Sequence, residues 1–313
     1  GGDRYDSLRG NSLSNVILDE AAYIPADCWE MVIRPALADQ RGSAFFISTP
    51  AGFNHFHEWY EQAEHEPGWQ TFSYNTIEGG NVPPEEVELA RRTLDERTFR
   101  QEFEASFQSF SGLVFPEFSD ENIDDTVKDM GGPILVGLDF NVGIMAGVLC
   151  SKVGDTLHIW DEIAVKNSNT DEVCLMLRER FPDREIVAYP DPTGKARKTS
   201  AAGATDHGII RKYGIKVVAP NAPWAIKDRL NATNWLIKNA VGEVRMFVHP
   251  RAKNTIKGFR SVTYKEGADD FIVDKAPGLE HWIDGCGYLI LSAMNQVKPW
   301  KVGRAKSKVG QVW

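Results

Sequence analysis

The order of apolar segments after residue 133 is the sequence feature that most limits how this chain can fold. Three strand-like runs come first, at 134–140, 144–151 and 156–163, and short turns containing Gly143 and Gly154 separate them. Such short turns predict an antiparallel meander. Beyond them the pattern predicts, in order, a helix capped by Thr170 or Asp171, a strand at 185–189, a loop and helix, a strand at 215–219, and helices near 226–239 and 281–294.

This order of elements is typical of an RNase H-like fold, in which the first and fourth strands lie side by side. Asp139 stands near the end of the first strand, Asp191 follows the fourth strand, and Asp284 lies on the last helix. We expect the two strands to bring Asp139 and Asp191 to one edge of the sheet. The last helix should pack across that edge and add Asp284.

Three crowded carboxylates repel one another unless cations neutralise them. Mg²⁺ or Mn²⁺ suits oxygen ligands, and two such ions would support hydrolysis of a phosphodiester. An aspartate at a strand end is more often a turn former or a helix cap. Asp284 is harder to explain in that way, because its helix is largely apolar. His281 shares a helical face with Asp284; it would orient that carboxylate, handle a proton, or be structural.

The first part of the chain has a different pattern, typical of a parallel α/β sheet. One apolar run, 16–18, ends at Asp19 and Glu20, and another, 44–47, ends at Ser48 and Thr49. A helical pattern then extends from Pro83 to Phe107, and the periodicity is lost over 111–133. The predicted organisation is a partial P-loop-type α/β domain at 1–110, a linker at 111–133, an RNase H-like mixed-sheet domain at 134–297, and a basic tail at 298–313.

Charge is unevenly distributed along the 313 residues, whose net charge is −9. Residues 1–132 contain 25 acids and 9 bases, whereas residues 186–265 contain 15 bases and 4 acids. The basic excess fits a phosphate-binding surface, although a solvated basic face would have the same composition. Lys195, Arg197 and Lys198 follow Asp191 closely and would contact a DNA phosphate, or would belong to a solvated loop. The sequence does not orient Arg229, another base of this region.

Other classes of protein are disfavoured. No run approaches the length of a membrane span, and no signal peptide is expected at the start. The four cysteines, Cys28, Cys150, Cys174 and Cys286, show no CxxC spacing. Buried free thiols are therefore expected rather than a zinc site or a disulfide framework.

Several segments in the expected order resemble motifs of the large subunit of tailed-phage terminases, the DNA-packaging motor. The resemblance rests on VILDEAAYIP at 16–25, similar to the Walker B segment; FISTPAG at 46–52, similar to the coupling motif; FRQEFEASF at 99–107 and GLVFPEF at 112–118, similar to the passage from ATPase to nuclease; and Asp139, Asp191 and Asp284, similar to the three nuclease acids. It implies that Asp19 holds the Mg²⁺ of a nucleotide and that Glu20 positions water. Ser48 and Thr49 would sense the nucleotide state.

The resemblance also implies a role and partners. The chain would be a metal-dependent endonuclease that cuts concatemeric double-stranded DNA, with Mg²⁺ or Mn²⁺ as cofactor and ATP only in the full-length protein. Its partners would be DNA, the portal protein and the small terminase subunit. It would form a homo-oligomer on the portal, in the host cytoplasm and transiently on the procapsid. The tail at 298–313 would dock on the portal or bind DNA.

Two departures from the family pattern stand out. No G-x-x-x-x-G-K-[ST] motif occurs in the chain, so we expect no ATP hydrolysis by this chain alone. Gly285 and Gly287 occupy positions where the family commonly has Ala and Arg. Two alternatives remain: another RNase H-like nuclease of the resolvase or transposase type, which leaves the segments near 16–25 and 46–52 unexplained, and a motor or scaffold module with structural acids.

Overall fold

A computed structural model describes residues 2–52, 54–107, 112–141, 143–196, 205–265, 272–274 and 278–294. The chain divides into two compact units. The first contains Gly1–Val114, Lys238–Glu243 and Thr263–Val273, and the second contains Phe115–Ile237, Val244–Val262 and Asp274–Trp313.

The first unit contains a parallel pair of strands, β1 (Asn15–Asp19) and β2 (Ser43–Ile47), in register from Asn15 opposite Ser43 to Asp19 opposite Ile47. Its core packs Leu18 with Trp29, Ile33 and Leu37. Along the chain, a π-helix at Cys28–Ile33 and α1 (Arg34–Ala38) connect the two strands. After β2 come α2 (His55–Ala63) and α3 (Thr76–Gly79). The parallel pairing agrees with the predicted α/β class.

The helical pattern from Pro83 to Phe107 forms two helices instead of one. They are α4 (Pro84–Thr93) and α5 (Glu96–Phe103). Leu94 is extended between them, and the Asp95 side chain accepts a hydrogen bond from the Thr98 amide, which caps α5. An aspartate at an N-cap satisfies an amide that the helix leaves unbonded, so a new helix begins there.

The second unit is built on a six-stranded mixed sheet. Its strands are β3 (Ile134–Asp139), β4 (Ile144–Val153), β5 (Thr156–Lys166), β6 (Ile186–Pro190), β7 (Lys216–Val217) and β8 (Met246–Val248). Their spatial order is β7-β6-β3-β4-β5-β8, with β3, β4 and β5 antiparallel and β6 parallel to β3. The predicted meander and the predicted adjacency of the first and fourth strands are confirmed, and β8 was not predicted.

Helices of the second unit are α6 (Thr170–Arg180), α7 (Asp206–Lys212), α8 (Ile226–Ile237), α9 (Lys253–Ser261) and α10 (Glu280–Ala293). The cap of α6 is Asn169, whose side chain accepts from the Glu172 amide, and not Thr170 or Asp171. Thr170 instead donates its hydroxyl proton to Asp206 at 2.7 Å, and Asp171 lies in the first turn.

The segment predicted as a linker, 111–133, contributes to the core of the second unit. The rings of Phe115 and Phe118 pack on Phe259 at 5.1 and 4.9 Å between centroids. Asn122 is fully buried and donates hydrogen bonds to the carbonyls of Ile237 and Met246. The aperiodic sequence reflects irregular backbone that buries a few side chains in the core and exposes most of the others.

Helix α10 packs directly against the sheet. A Cβ atom added to Gly137 of β3 would lie 2.7 Å from the carbonyl carbon of Gly285, and closer still to its oxygen. The indole nitrogen of Trp282 donates to the carbonyl of Ile163 at 2.9 Å. The two glycines thus let a helix backbone approach a strand backbone, and this contact fixes the residues next to Gly285.

All four cysteines are buried free thiols, as expected from their spacing. Across the part of the chain that the structure describes, no helix is long and apolar enough to cross a membrane.

Candidate active site

Strand pairing brings Asp139 and Asp191 to the same edge of the sheet. Leu138 of β3 pairs with Pro190 of β6, so the residues that follow each of them are neighbours. The Asp191 amide donates to the carbonyl of Leu138 at 3.2 Å, which extends the pairing by one step. Asp139 is 8% exposed, and such burial requires partners for its charge.

The Asp191 carboxylate caps the short turn Pro192–Lys195 by accepting from the Thr193 amide at 2.8 Å. The imidazole of His207 bonds the Asp191 carbonyl at 2.8 Å, and burial lowers the pKa of this histidine. Lys195 is exposed and donates to the carbonyl of Asn221. The other two predicted DNA-contacting residues, Arg197 and Lys198, lie outside the described residues.

Asp284 extends from α10 and pairs with an arginine of α8. Arg229 Nη2 donates to Asp284 Oδ1 at 2.8 Å, and both side chains are largely buried. The guanidinium carbon also lies 4.7 Å from the centre of the Tyr288 ring, one turn along α10. The arginine, which the sequence could not orient, therefore points into the site.

Asp139 is paired with His281, three residues before Asp284. The His281 Nδ1 atom lies 2.7 Å from Asp139 Oδ2, and its Nε2 atom lies 2.6 Å from the Asn141 side-chain nitrogen. Asn141 uses its oxygen to accept from the Gly143 amide, so its NH₂ group faces the ring. A neutral imidazole that donates to Asp139 and accepts from Asn141 satisfies every one of these contacts. The Asp139 hydrogen bond, opposed by burial, raises the pKa of His281.

The phenol of Tyr288 lies one turn after Asp284 on α10 and is largely buried. Burial raises the pKa of this phenol; Arg229 lowers it, while the negative charges of Asp284, Asp191 and Asp139 each raise it. Strand pairing places Asp139 beside Asp191, and His281, which bonds Asp139, lies three residues before Asp284 on α10. Carboxylates from two strand ends and one helix thus share one region of the second unit.

The donor chemistry fits a hard divalent cation, but these side chains are not closed around one. Among the described residues, no group of three or more His, Cys, Asp or Glu side chains is arranged to hold a metal ion. Arg229, His281 and the Thr193 amide each bond one carboxylate oxygen, of Asp284, Asp139 and Asp191 respectively. Glu280 supplies another acid: it is 4% exposed, and its Oε2 atom is buried without a hydrogen-bond partner. An orphaned buried oxygen beside His281 suits a site for a cation.

Sequence reasoning missed Glu280, Asn141 and the role of Arg229. Glu280 precedes Asp284 by four residues, which places both on one face of α10. That spacing was a usable signal. Asn141 lies two residues after Asp139 and carried no distinctive pattern.

Four further predicted residues lie in the first unit, at the ends of β1 and β2. Asp19 Oδ1 accepts from the Glu20 amide at 3.1 Å. Glu20 has φ 55 and ψ 44, a left-handed conformation that is unfavourable for a residue with a Cβ atom. The Ser48 hydroxyl accepts from the Ala22 amide at 3.1 Å, and Thr49 is the next residue along the chain. The ends of the two parallel strands are therefore linked.

The element order and the strand pairing define the second unit as an RNase H-like domain, preceded in the chain by a unit with parallel α/β strands. Residues 3–121 match the family model described as terminase large subunit, T4likevirus-type, N-terminal. The chain is 37% identical over 175 residues to the terminase large subunit of Escherichia phage T5, which covers 50% of this chain and 39% of that protein. It is also 37% identical over 131 residues to the large subunit of Thermus phage G20c, covering 36% and 26%.

A solved structure extends the likeness in fold. The large terminase of the thermophilic bacteriophage D6E, in complex with ATP-gamma-S, superposes with a TM-score of 0.61 at 15% identity and covers 94% of this chain and 72% of that one. The chain is similar in sequence to terminase large subunits over part of its length, which confirms the resemblance of its motifs. It spans 39% of the length of its T5 relative.

Proposed function

We propose that the second unit is a divalent-metal-dependent DNA endonuclease. The observation that supports this proposal is geometric: strand pairing places Asp139 beside Asp191, and His281, three residues before Asp284 on α10, bonds Asp139 at 2.7 Å. Three carboxylates from separate elements repel one another, and a site that keeps them together is suited to a cation. Relationship to terminase large subunits supports DNA as the substrate.

Asp139, Asp191 and Asp284 would hold Mg²⁺ or Mn²⁺, after exchanging some of their present hydrogen-bond partners for the ions. When bound, such ions activate water and stabilise the leaving oxygen of a phosphodiester. His281 bonds the carboxylate of Asp139 at 2.7 Å and would keep it in place. Tyr288 stays protonated because burial and the nearby aspartates raise the pKa of its phenol. The protonated phenol therefore adds no further negative charge beside the acids.

DNA would reach the acids across the basic region at 186–265. Lys195 is exposed four residues after Asp191, where its ammonium group would neutralise a backbone phosphate. Arg197 and Lys198 would extend this contact. Phosphate contacts position a duplex without reading its sequence, so cutting would be largely non-specific.

The ends of β1 and β2 would form part of a nucleotide site in the longer protein. Asp19 would hold the Mg²⁺ of ATP, and Glu20 would position the attacking water. Ser48 and Thr49 would report the nucleotide state, Ser48 through its bond to Ala22. The D6E terminase, whose fold is similar, has been solved with ATP-gamma-S, which is consistent with this assignment.

The biological role proposed is genome packaging in a phage-infected host cytoplasm. The whole protein would cut concatemeric double-stranded DNA, assemble as a homo-oligomer on the portal protein of the procapsid, and receive DNA from the small terminase subunit. These partners rest on the relationship to terminase large subunits.

The direct test is cleavage of supercoiled plasmid with Mn²⁺ or Mg²⁺. Asp139→Asn, Asp191→Asn and Asp284→Asn should each reduce the rate by about 100-fold or more, because each removes a major electrostatic stabiliser. Asp183→Asn is the matched control, since Asp183 is exposed and precedes β6 at the opposite end from Asp191. If the purified wild type leaves plasmid intact, or the three variants cut as it does, the acids are structural and the unit is a scaffold.

A further inference from the structure

The side chain of Arg229 is held in the candidate active site by two contacts, and its stem lies close to Gly287 of α10. Its Nη2 atom donates to Asp284 at 2.8 Å, and its guanidinium carbon lies 4.7 Å from the centre of the Tyr288 ring. Its Cδ atom lies 2.7 Å from the point where a Cβ atom on Gly287 would stand. Both the aliphatic stem and the planar group are therefore fixed.

Gly287 explains how the stem can lie there. Glycine inside a helix is unfavourable relative to alanine. Any Cβ atom at this position of α10 would clash with both Cγ and Cδ of Arg229. These are inner atoms of the side chain, so rotating the guanidinium alone would not relieve the clash. The missing side chain leaves a groove on α10 that Arg229 fills.

We propose that Arg229 is a positioning residue that holds the Asp284 carboxylate in its working orientation, and that Gly287 provides the space for it. The inference rests on the proposed nuclease function. A charge-assisted bond from a planar donor fixes direction as well as distance. The side chain of Arg229 is only 12% exposed and already bonded to Asp284, so it is poorly placed to bind a DNA phosphate.

Kinetics distinguish positioning from DNA binding. At saturating Mn²⁺, Arg229→Ala should lower the kcat of plasmid cleavage by about 10- to 100-fold, the loss expected for a misplaced reacting group. The KM for DNA should change little. Arg229→Lys should recover part of kcat, because it keeps a charged donor but loses the planar group. A raised KM with unchanged kcat and a weaker salt dependence would instead assign Arg229 to a DNA phosphate.

The groove gives a second, independent test. Gly287→Ala should lower kcat although Arg229 is still present, because the new Cβ atom displaces the arginine stem. In an Arg229→Ala background the same substitution should cause no further loss. Gly132→Ala is the control, since nothing lies within 4 Å of an added Cβ there. Equal losses from Gly287→Ala in both backgrounds would contradict the inference.

A thermal unfolding measurement in metal-free buffer provides a readout without activity. Arg229→Ala and Asp284→Asn should each lower Tm, and the double variant should lower it by less than the sum of the two shifts. Additive shifts would show that the pair is not coupled in solution. Cleavage that depends on Asp139 but not on Arg229 would overturn this inference alone. A wild type that cannot cut DNA would overturn the proposed function with it.

Discussion

The carbonyl group of Gly285 in α10 occupies the place where Gly137 of β3 would carry a side chain. Helix and strand therefore touch through their backbones. On the helix the contact is next to Asp284, and on the strand it is two residues before Asp139. Neither backbone can move aside as a flexible side chain would. The distance between the acids of α10 and those of the sheet depends on this contact.

Gly137→Ala should destabilise the second unit strongly. Overpacking usually costs about 1–3 kcal/mol, and a clash with backbone atoms should fall at or above the upper end of that range. Urea unfolding with a probe in the second unit measures the change. Gly132→Ala, where space is open, should change stability by no more than about 0.5 kcal/mol. Similar stability for both variants would show that α10 sits farther from the sheet in solution.

Glu162 joins the third strand to α9 through four hydrogen bonds. Its two carboxylate oxygens accept from the amide and side chain of Asn254 and from the amide and hydroxyl of Thr255. Glu162→Gln would turn one oxygen into an NH₂ group facing donors, and should cost about 1–3 kcal/mol. Equilibrium denaturation checks this against Glu179→Gln, an exposed glutamate of α6. Equal effects from the two substitutions would show that the bonds from Glu162 to α9 do not stabilise the unit.

The stability of the second unit should depend on pH through His158. Burial, opposed by the charge of Asp124, lowers the pKa of His158 from its usual value of 6.5. Above pH 6.5 the histidine is neutral in both states and has no effect. As the pH falls below 6.5, the unfolded chain binds the proton first, so stability is lost until the lower folded pKa is reached. His158→Gln should reduce this loss between pH 7.5 and 5.5, and parallel stability curves for the two proteins would refute it.

DNA cutting should depend on divalent ions and on salt. EDTA should abolish plasmid cleavage, and Mn²⁺ added in excess should restore it. Because phosphate contacts dominate binding, affinity for DNA should fall steeply between about 50 and 200 mM salt. Lys195→Gln should reduce the slope of log affinity against log salt by about 1, as expected for one lost phosphate contact. Lys128→Gln, an exposed lysine before β3, is the matched control and should leave the slope unchanged.

The order of elements in the second unit was predictable because the strands of the meander are long and turns containing glycine separate them. That order alone placed the first strand beside the fourth, and hence Asp139 beside Asp191. Strand β8 was missed because its three residues, Met246–Val248, are too few to show alternation. Helix α9 was missed because Lys253–Ser261 contains Thr255 and Gly258, which are poor helix formers.

The partners of the acids were not predictable in the same way. Arg229 was visible as a base in a basic region, but the direction of one side chain on α8 depends on which face the helix buries. His281 was recognised as sharing a face with Asp284, yet in the structure it bonds Asp139 on the neighbouring strand. Side-chain bonds between residues far apart in sequence depend on how closely the helices and strands pack. The spacing of residues along the chain does not give that distance.

After entering the second unit at Phe115, the polypeptide returns twice to the first, at 238–243 and 263–273. There, Asn239 donates to the carbonyl of Arg92, Ala240 to that of Leu94, and Tyr264 to that of Gly112. A recombinant fragment starting at residue 115 would carry these two returning stretches without their acceptors, and a fragment ending at 114 would lose the donors. The boundary at 114 therefore does not mark a place where the gene can be divided into self-sufficient pieces.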